Sequence, residues 1–401
     1  MDNKPTVVMM GLGYIGLPTA ALIASRGLKV TGVDIRQQVV DTINKGQIHI
    51  VEPDLDGLVH KVVKDGDLKA STKAVEADVY LIAVPTPFKE NHVPDLSYVG
   101  SAVRGIIPTL KEGSLVILES TSPVGTTRKM QKLILDERPE LKGKIFIAYC
   151  PERVLPGNIL HELKYNDRAI GGIDKSSTQK AIEFYKHFVV GELHATNAKT
   201  AEMVKLVENA SRDNQIAFAN ELSIICDKAG IDVWEMIALA NKHPRVNILR
   251  PGTGVGGHCI AVDPWFIVSE FPEESGLIRK SRETNNYKTQ WVLEKIKNKA
   301  LIFKAENNRE PIIACMGLAF KPDIDDLRES PALYVAETLQ KEGFSVLEVE
   351  PNLENCSERK VTPVSEAMEK ADIVVFLVAH KEFSGLKAKT SKEVLDFVGL
   401  K

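Results

Sequence analysis

Short apolar runs alternate with longer amphipathic stretches in the first half of the chain. Five of these runs each lead into a glycine-rich, proline-rich or polar loop: PTVVMM (5–10), LKVTGVDI (28–35), ADVYLIAVPTP (77–87), SLVILESTSP (114–123) and KIFIAYCPER (144–153). Such runs, bounded by turn residues, are typical of strands buried on both faces. Helical stretches separate them, the first from about Leu17 to Arg26. The pattern predicts an α/β fold with a doubly wound parallel sheet.

A long helical stretch and a second α/β pattern follow. Residues 196–230 keep helical periodicity for about nine turns, which suits a spine between domains. Strand patterns restart near Glu310, in PIIACMGLAF, FSVLEVEP and ADIVVFLVAH. We therefore predict two Rossmann-like doubly wound domains, joined by a long central helix and a helical middle domain. The predicted boundaries are 1–195, 196–300 and 301–401.

Composition narrows the possible partners and the compartment. The 401 residues exceed one ordinary core, and the net charge of −3 provides no basic field for nucleic acid. No apolar run approaches the roughly 18 residues of a membrane helix, and the first residues lack a signal-peptide pattern. The five cysteines include no CxxC pair, which favours a reducing cytoplasm and argues against a bound metal.

A glycine motif lies directly between the first strand and the first helix. The motif is GxGxxG, in which Gly11, Gly13 and Gly16 carry the spacing and Tyr14 and Ile15 fill the last gap. Bare backbone at a helix N-terminus can hold the pyrophosphate of a dinucleotide. A tight turn that binds no ligand is the alternative interpretation.

The end of the second strand indicates which dinucleotide would bind. Asp34 follows Gly16 by 18 residues, at the position where a carboxylate takes the ribose hydroxyls of NAD. That carboxylate would repel the additional phosphate of NADP. Arg36 keeps NADP open as an alternative, because a nearby arginine can hold that phosphate.

Three further strand-end loops carry candidate chemistry, because ligands bind at the carboxyl ends of such strands. Pro85 and Thr86 lie in a stiff loop, VPTP, that we expect beside the nicotinamide. Thr121 offers a hydroxyl and Glu152 a carboxylate in the next two loops. For each, loop capping is the alternative role.

The predicted long helix carries Lys205 and Asn209, four residues apart and therefore on one face. A lysine beside a cleft can stabilise an oxyanion or accept a proton. A solvated helix face is the alternative interpretation.

Cys259 differs from the other cysteines because it lies in the glycine-rich stretch GTGVGGHCIAVDPW (252–265). We expect Cys226 and Cys315 to lie in the core and Cys356 on a surface loop, whereas Cys150 could be either. A dehydrogenase that stops at an aldehyde needs no nucleophile. One that proceeds to an acid can hold the aldehyde as a thiohemiacetal and oxidise it to a thioester. Cys259 is the candidate for this role, with a buried structural cysteine as the alternative.

Seven motifs occur in order across nearly the whole chain: GLGYIG, VPTP, ESTSPVGTT, CPERVLPG, AEMVKLVEN, GVGGHCIAVDPWF and MGLAFKPDIDDLRESP. Together they resemble the UDP-glucose/GDP-mannose dehydrogenase family. The ordered set is far more specific than any one motif. The resemblance implies an N-terminal NAD-binding domain, a central helical domain with a homodimer interface and a C-terminal UDP-sugar-binding domain.

The resemblance also implies residue roles. Cys259 matches the nucleophile, and Lys205 and Asn209 match the residues that hold the C6 oxygen. Asp263 matches the carboxylate that positions water or a proton shuttle. Glu152 and Thr121 match the pair that hydrolyses the thioester. Thr121 and Arg328 are implied beside the cofactor. The implied substrate contacts include Glu152, Arg153, Val154, Lys205, Asn209, Arg245 from a neighbouring subunit, Gly256, His258 and Lys321.

Two departures bear on the substrate. Val262 stands where UDP-glucose enzymes of the family usually carry lysine, and His258 precedes the cysteine as in the N-acetylhexosamine branch. The resemblance therefore implies four-electron C6 oxidation of a UDP-N-acetylhexosamine for surface polysaccharide synthesis. UDP-N-acetylmannosamine is the expected substrate, and its C2 epimer UDP-N-acetylglucosamine is the alternative. A two-electron hydroxyacid dehydrogenase and a non-catalytic sugar-nucleotide sensor are the alternatives.

Overall fold

The computed structural model describes residues 4–50, 52–89, 92–154, 157–353, 359–386 and 392–400. The chain divides into two compact units, Met1–Val207 and Glu208–Lys401. Within the described residues, no helix combines the length and the apolar character that crossing a membrane requires.

The first unit is built on an eight-stranded sheet. Its strands are β1 (Val7–Met10), β2 (Val30–Val33), β3 (Leu68–Ser71), β4 (Val79–Ile82), β5 (Leu115–Leu118), β6 (Phe146–Tyr149), β7 (Arg168–Gly172) and β8 (Leu193–Asn197). They lie in the order β3-β2-β1-β4-β5-β6-β7-β8. The first six are parallel, and β7 pairs antiparallel with β6. The strand order therefore reverses between β1 and β4, where such sheets bind ligands.

Helices connect these strands and cover the sheet. They are α1 (Gly16–Ala24), α2 (Gln37–Asn44), α3 (Leu55–Lys64), α4 (Ser97–Ile106), α5 (Thr126–Glu137), α6 (Ile159–Tyr165) and α7 (Lys175–Tyr185). Alternate strand residues enter two separate cores: Val7 and Met9 pack in one, and Val8 and Met10 in the other. The two buried faces explain why the strands read as continuous apolar runs.

The long helix α8 (Ala198–Ala229) begins in the first unit and continues into the second. The other helices of the second unit are α9 (Val233–Ala240), α10 (Asp263–Glu270), α11 (Gly276–Asn307), α12 (Pro331–Lys341) and α13 (Val364–Lys370). Its strands are β9 (Ile312–Met316), β10 (Ser345–Val349), β11 (Ile373–Phe376) and β12 (Glu393–Asp396). They form a parallel sheet in the order β10-β9-β11-β12.

The predicted fold class is confirmed. All eight strands expected from apolar runs form, and α8 begins and ends within two residues of the predicted helix. The four strands that the pattern did not reveal are β3, β7, β8 and β12. The antiparallel entry of β7 is a feature that the parallel pattern did not anticipate.

Candidate active site

The glycine turn after β1 is a bare-backbone cradle. Gly11 has a φ of +94°, and a side chain there would collide with the carbonyl of Ala83. A side chain at Gly16 would collide with the Gly11 carbonyl, whereas no atom lies within 4 Å of the position for one at Gly13. The first and third glycines therefore allow the turn to form, and the middle one leaves open space. Tyr14 is 46% exposed beside it, and Ile15 is the residue that precedes α1. This geometry fits a pyrophosphate.

Asp34 is the first residue after β2 and is 8% exposed. Its Oδ2 accepts a hydrogen bond from the Leu12 N–H at 3.4 Å, and Arg36 donates Nε to Oδ1 at 3.0 Å and Nη2 to Oδ2 at 3.2 Å. Burial raises the pKa of Asp34, but the hydrogen bonds and charge of Arg36 outweigh it and leave the pKa below its usual value. The acid is therefore ionised and points at the glycine turn.

The next three strand-end loops begin in register. Ile82, Leu118 and Tyr149, the last residues of β4, β5 and β6, pair side by side. The third residue after each strand is one of the predicted site residues, Pro85, Thr121 or Glu152. Pro85 is exposed, while Thr86 and Thr121 are half-buried. The sheet therefore brings these residues to one edge, as expected.

Two buried polar side chains that the sequence analysis did not identify fix the shape of these loops. Ser120 donates its hydroxyl to the Val84 carbonyl at 2.7 Å and accepts from the Val84 N–H at 2.9 Å. Glu202, on α8, is fully buried and accepts from the Gly125 N–H at 2.5 Å and the Thr127 N–H at 2.7 Å. The glutamate at the start of the AEMVKLVEN motif thus anchors the ESTSPVGTT loop.

Glu152 is buried, and both its oxygens are engaged. Oε1 accepts from the Arg153 N–H at 2.6 Å, and Oε2 lies 3.1 Å from Nη1 of Arg168. Arg153 and Val154 beside it are half-buried. Arg168 also escaped the sequence analysis; the only signal available was a charged residue opening the apolar segment RAIGG.

In the second unit, Asn209, Asp263 and Cys259 are brought together. Asn209 Nδ2 donates to Asp263 Oδ2 at 2.5 Å, and the Asp263 N–H donates to the Cys259 carbonyl at 2.8 Å. Asp263 is 2% exposed at the start of α10, whereas Cys259 is half-buried in the preceding turn. Lys205 lies one turn before Asn209 on α8 and is also half-buried. A carboxylate, an amide and a thiol-bearing turn thus share one neighbourhood.

The glycines before Cys259 pack against protein. Side chains at Gly254, Gly256 or Gly257 would collide with Thr289, Glu329, Pro331 or Phe320. The Gly257 N–H also donates to the Arg328 carbonyl at 3.1 Å. The structure supplies a packing reason for these glycines. They let the cysteine turn lie against the MGLAFKPDIDDLRESP segment.

The remaining candidates lie in more open positions. Lys321 is half-buried, and His258 and Arg245 are exposed. Arg328 is 52% exposed and pairs with Asp326, with 2.6 Å between Nη2 and Oδ2. The RESP sequence, which begins at Arg328, also has a structural role. The Ser330 hydroxyl caps α12 by accepting a hydrogen bond from the Leu333 N–H at 3.3 Å.

Four cysteines fall within the described residues. Cys226 and Cys315 are buried, as predicted, and Cys150 is buried as well. Burial raises the pKa of Cys150 to about 11 and that of Cys315 to about 12, so both remain neutral thiols. Cys356 lies outside the described residues. Among the four, only Cys259 has a partly exposed side chain.

The second sheet repeats the turn geometry of the first. Gly317 follows β9 with a φ of +93°, and its N–H donates to the Val349 carbonyl at 2.8 Å. Glu350, after β10, corresponds to Asp34 but is fully buried. It accepts from the Leu318 N–H at 2.8 Å and lies 2.9 Å from Nε2 of His380. Glu350 is therefore enclosed by its protein partners.

Profiles of one protein family match the chain in three consecutive segments. The family is the UDP-glucose/GDP-mannose dehydrogenase family. Its NAD binding domain matches residues 5–189, its central domain residues 199–287 and its UDP binding domain residues 314–398. The chain belongs to the UDP-glucose/GDP-mannose dehydrogenase family. NAD is its cofactor, and the protein is an NAD-dependent dehydrogenase.

Relatives within the family are similar over their whole length. A UDP-N-acetyl-D-mannosamine dehydrogenase from Campylobacter jejuni is 57% identical over 96% of this chain and 97% of its own. An NDP-N-acetyl-D-galactosaminuronic acid dehydrogenase from Ralstonia nicotianae is 52% identical over 98% of this chain and 96% of its own. Among solved structures, a UDP-D-ManNAc dehydrogenase from Pyrococcus horikoshii has a TM-score of 0.88 at 38% identity, over 99% of this chain and 96% of its own.

Proposed function

We propose that this dehydrogenase oxidises C6 of UDP-N-acetyl-D-mannosamine to the carboxylate, giving UDP-N-acetyl-D-mannosaminuronate. The observation that carries the proposal is the hydrogen bond between Asn209 and Asp263, which lies four residues after Cys259, in a chain 57% identical to an enzyme of that name. Conversion of an alcohol to an acid removes four electrons, so each sugar consumes two NAD and one water and yields two NADH. The NAD supplies the acceptor for both oxidations.

In the first half of the reaction, the chain must stabilise charge on the C6 oxygen. Lys205 and Asn209 are proposed to do so from one face of α8, with Lys205 donating a charge and Asn209 an amide N–H. Asp263 fixes the Asn209 amide through the hydrogen bond at 2.5 Å. The Cys259 sulfur then adds to the aldehyde carbon and keeps it from escaping as a hydrate.

In the second half, the thiohemiacetal becomes a thioester, which water must cleave. Glu152 is proposed as the base for that water and Thr121 as its hydrogen-bonding partner, because both follow paired strands at one sheet edge. Asp263 is the alternative proton carrier. Removing one such base or donor typically slows a step by 10²–10⁴-fold.

Cofactor and substrate contacts complete the proposal. Asp34 is proposed to hold the adenosine ribose, with Arg36 beside it and with Pro85, Thr86 and Arg328 near the remainder of the cofactor. The proposed substrate contacts are Arg153, Val154, Gly256, His258, Lys321 and, from a second copy, Arg245. We further propose the three-part division at about residues 195 and 300, with the UDP moiety bound by the last part.

The sugar epimer is the least constrained part of the proposal. A relative 52% identical is named for a galactosaminuronic acid substrate, so a panel of sugars must decide. The test is the yield of NADH per mole of UDP-ManNAc, UDP-GlcNAc, UDP-GalNAc and UDP-glucose. We expect two NADH per UDP-ManNAc and the highest kcat/KM for that sugar. One NADH per sugar would indicate a two-electron dehydrogenase, and no NADH from any sugar would contradict the proposal.

A further inference from the structure

A buried ion pair lies behind Glu152 in the first unit. Arg168 opens β7 and is 3% exposed, and its Nη1 lies 3.1 Å from Glu152 Oε2. Its Nη2 donates to the Leu163 carbonyl at 3.0 Å. The guanidinium also lies 5.2 Å from the centre of the Tyr185 ring. These contacts fix the guanidinium in one orientation.

The same contacts fix the carboxylate. Glu152 Oε2 faces Arg168, and Oε1 accepts from the Arg153 N–H at 2.6 Å. Hydrogen bonds of this kind restrict the rotation of a carboxyl group. Glu152 thereby has a fixed direction, which a general base needs.

A second buried acid, Glu119, lies close by and accepts a hydrogen bond from a tyrosine. Glu119 is 3% exposed, and its Oε1 accepts from the Tyr185 hydroxyl at 2.6 Å. Burial raises the pKa of Glu119 to about 7; the charge of Arg168 opposes this rise and that of Glu152 adds to it. Cys150, also in the cluster, is a neutral thiol. Near neutral pH, much of Glu119 is therefore protonated. The close contact of the Arg168 guanidinium within this cluster is the one to Glu152.

We propose that Arg168 is the positioning residue of the hydrolytic half-reaction, holding the Glu152 carboxyl group in the orientation that a general base needs. The inference rests on the proposed function, in which Glu152 serves that step. Water oxygen bonds to the acyl carbon as one of its protons passes to Glu152. The C–S bond breaks with its electron pair on Cys259, and the new carboxylic acid releases its proton. No electron leaves the substrate in this step, so Arg168 should not affect the two oxidations.

The test compares Arg168→Met, which removes the charge, with Arg168→Lys, which keeps it but loses the fork of two donors. In single turnovers with UDP-ManNAc and NAD, NADH is followed by absorbance, acyl-enzyme by intact-protein mass, and uronate by chromatography. We expect both variants to form two NADH at close to the wild-type rate. Uronate release should slow by roughly 10²–10³-fold in Arg168→Met and by less in Arg168→Lys. Thioester should accumulate in the same order.

The ratio of the hydrolysis rate to the oxidation rates separates positioning from simple destabilisation. A loss of folded enzyme would lower all of these rates together, whereas loss of the Arg168 contact to Glu152 should lower the hydrolysis rate alone. Arg282→Met is the matched control, because Arg282 and Asp213 form an equally buried pair with 2.6 Å between Nη1 and Oδ1. It should lose stability without accumulating thioester. If Arg168→Met does not fold, the accumulation of thioester in Arg168→Lys supports the inference, and the absence of that accumulation overturns it.

The outcomes distinguish this inference from the proposed function. One NADH per sugar in the wild type would overturn the proposed function, whereas wild-type uronate release by Glu152→Gln would overturn the role of Glu152 and, with it, the Arg168 inference. If both behave as proposed and the Arg168 variants still release uronate at the wild-type rate, only the Arg168 inference is overturned.

Discussion

At the scale of single residues, we propose that the preference for NAD over NADP depends on Asp34, whose carboxylate already accepts hydrogen bonds within the protein. Asp34 binds Arg36 through two side-chain hydrogen bonds, of 3.0 and 3.2 Å. As long as that pair persists, the arginine has a partner and the carboxylate repels a phosphate. Removal of Asp34 would release Arg36 to attract one.

We therefore expect Asp34→Ala to lower kcat/KM for NAD by roughly 10–100-fold, the effect of losing charged hydrogen bonds. The same variant should gain activity with NADP. The double variant Asp34→Ala/Arg36→Ala should lose activity with NAD without gaining activity with NADP. The single variant Arg36→Ala should keep its preference for NAD. Steady-state kinetics with both cofactors measures this. Equal use of the two cofactors by the unmutated protein would contradict the assigned role of Asp34.

Sequence reasoning found the residues whose neighbours lie in the same motif and missed those whose partners lie far along the chain. The glycine turn and Asp34 follow from spacing alone. The partner of Glu152, Arg168, lies 16 residues away in a strand that the apolar pattern did not reveal, and Glu202 lies 77 residues from Gly125. Such pairs form only when the tertiary fold brings them together.

At the scale of elements, strongly patterned segments were predictable and short or polar ones were not. The helix α8 and the eight apolar strands follow from periodicity. In contrast, β3 (LKAS) and β8 (LHATN) contain few apolar residues, and β7 begins with a charge and ends with two glycines. Their pairing is determined by neighbouring strands rather than by their own propensity.

The packing of α11 against α8 includes a buried lysine. Lys288 is 1% exposed, donates Nζ to Ser223 Oγ at 2.8 Å and places that nitrogen 3.9 Å from the centre of the Trp291 ring. Burial lowers its pKa from 10.5 to about 7, opposed by the charge of Asp227 and assisted by that of Lys295. Between these two values the unfolded chain holds a proton that the native state lacks, so stability should rise with pH.

Lys288→Met should therefore stabilise the protein at pH 7 by about 1–3 kcal/mol, after loss of one hydrogen bond and the aromatic contact. The gain should shrink as the pH rises from about 7 to 10, because the wild-type penalty disappears there. Urea unfolding across this range measures it. Lys280→Met on the same helix, where the side chain is 73% exposed, should show no such trend. A destabilised Lys288→Met at every pH would contradict this account.

At the scale of the whole molecule, the second unit repeats the strand-turn geometry of the first, with a fully buried glutamate, Glu350, in the position that corresponds to Asp34. Glu350 is enclosed by backbone N–H groups and His380. The same turn geometry therefore leaves open space at Gly13 in the first unit and is closed by protein contacts in the second. Sequence predicted both sheets, but the closure of the second turn depends on His380, which lies 30 residues from Glu350.

We predict a dimer, with α8 and α9 at the interface. Phe218 and Ile225 lie seven residues apart on one face of α8 and are 53% and 54% exposed, and Leu239 on α9 is 64% exposed. Burying such side chains contributes about 1.5–3 kcal/mol each. Phe218→Glu/Ile225→Glu should give a monomer in light scattering, whereas Leu301→Glu, at a 57% exposed position on α11, should not. An active, dilute wild-type monomer would contradict the prediction.

The most direct test of the central claim is the intact mass of Cys259→Ser after a single turnover with UDP-ManNAc and NAD. An oxygen ester hydrolyses less readily than a thioester, so the account predicts a protein heavier by the UDP-uronosyl group, with little free uronate. Cys226→Ser, a change at a buried cysteine, should retain its unmodified mass once the turnover is complete. An unmodified Cys259→Ser protein that releases uronate at the wild-type rate would contradict a covalent intermediate on Cys259.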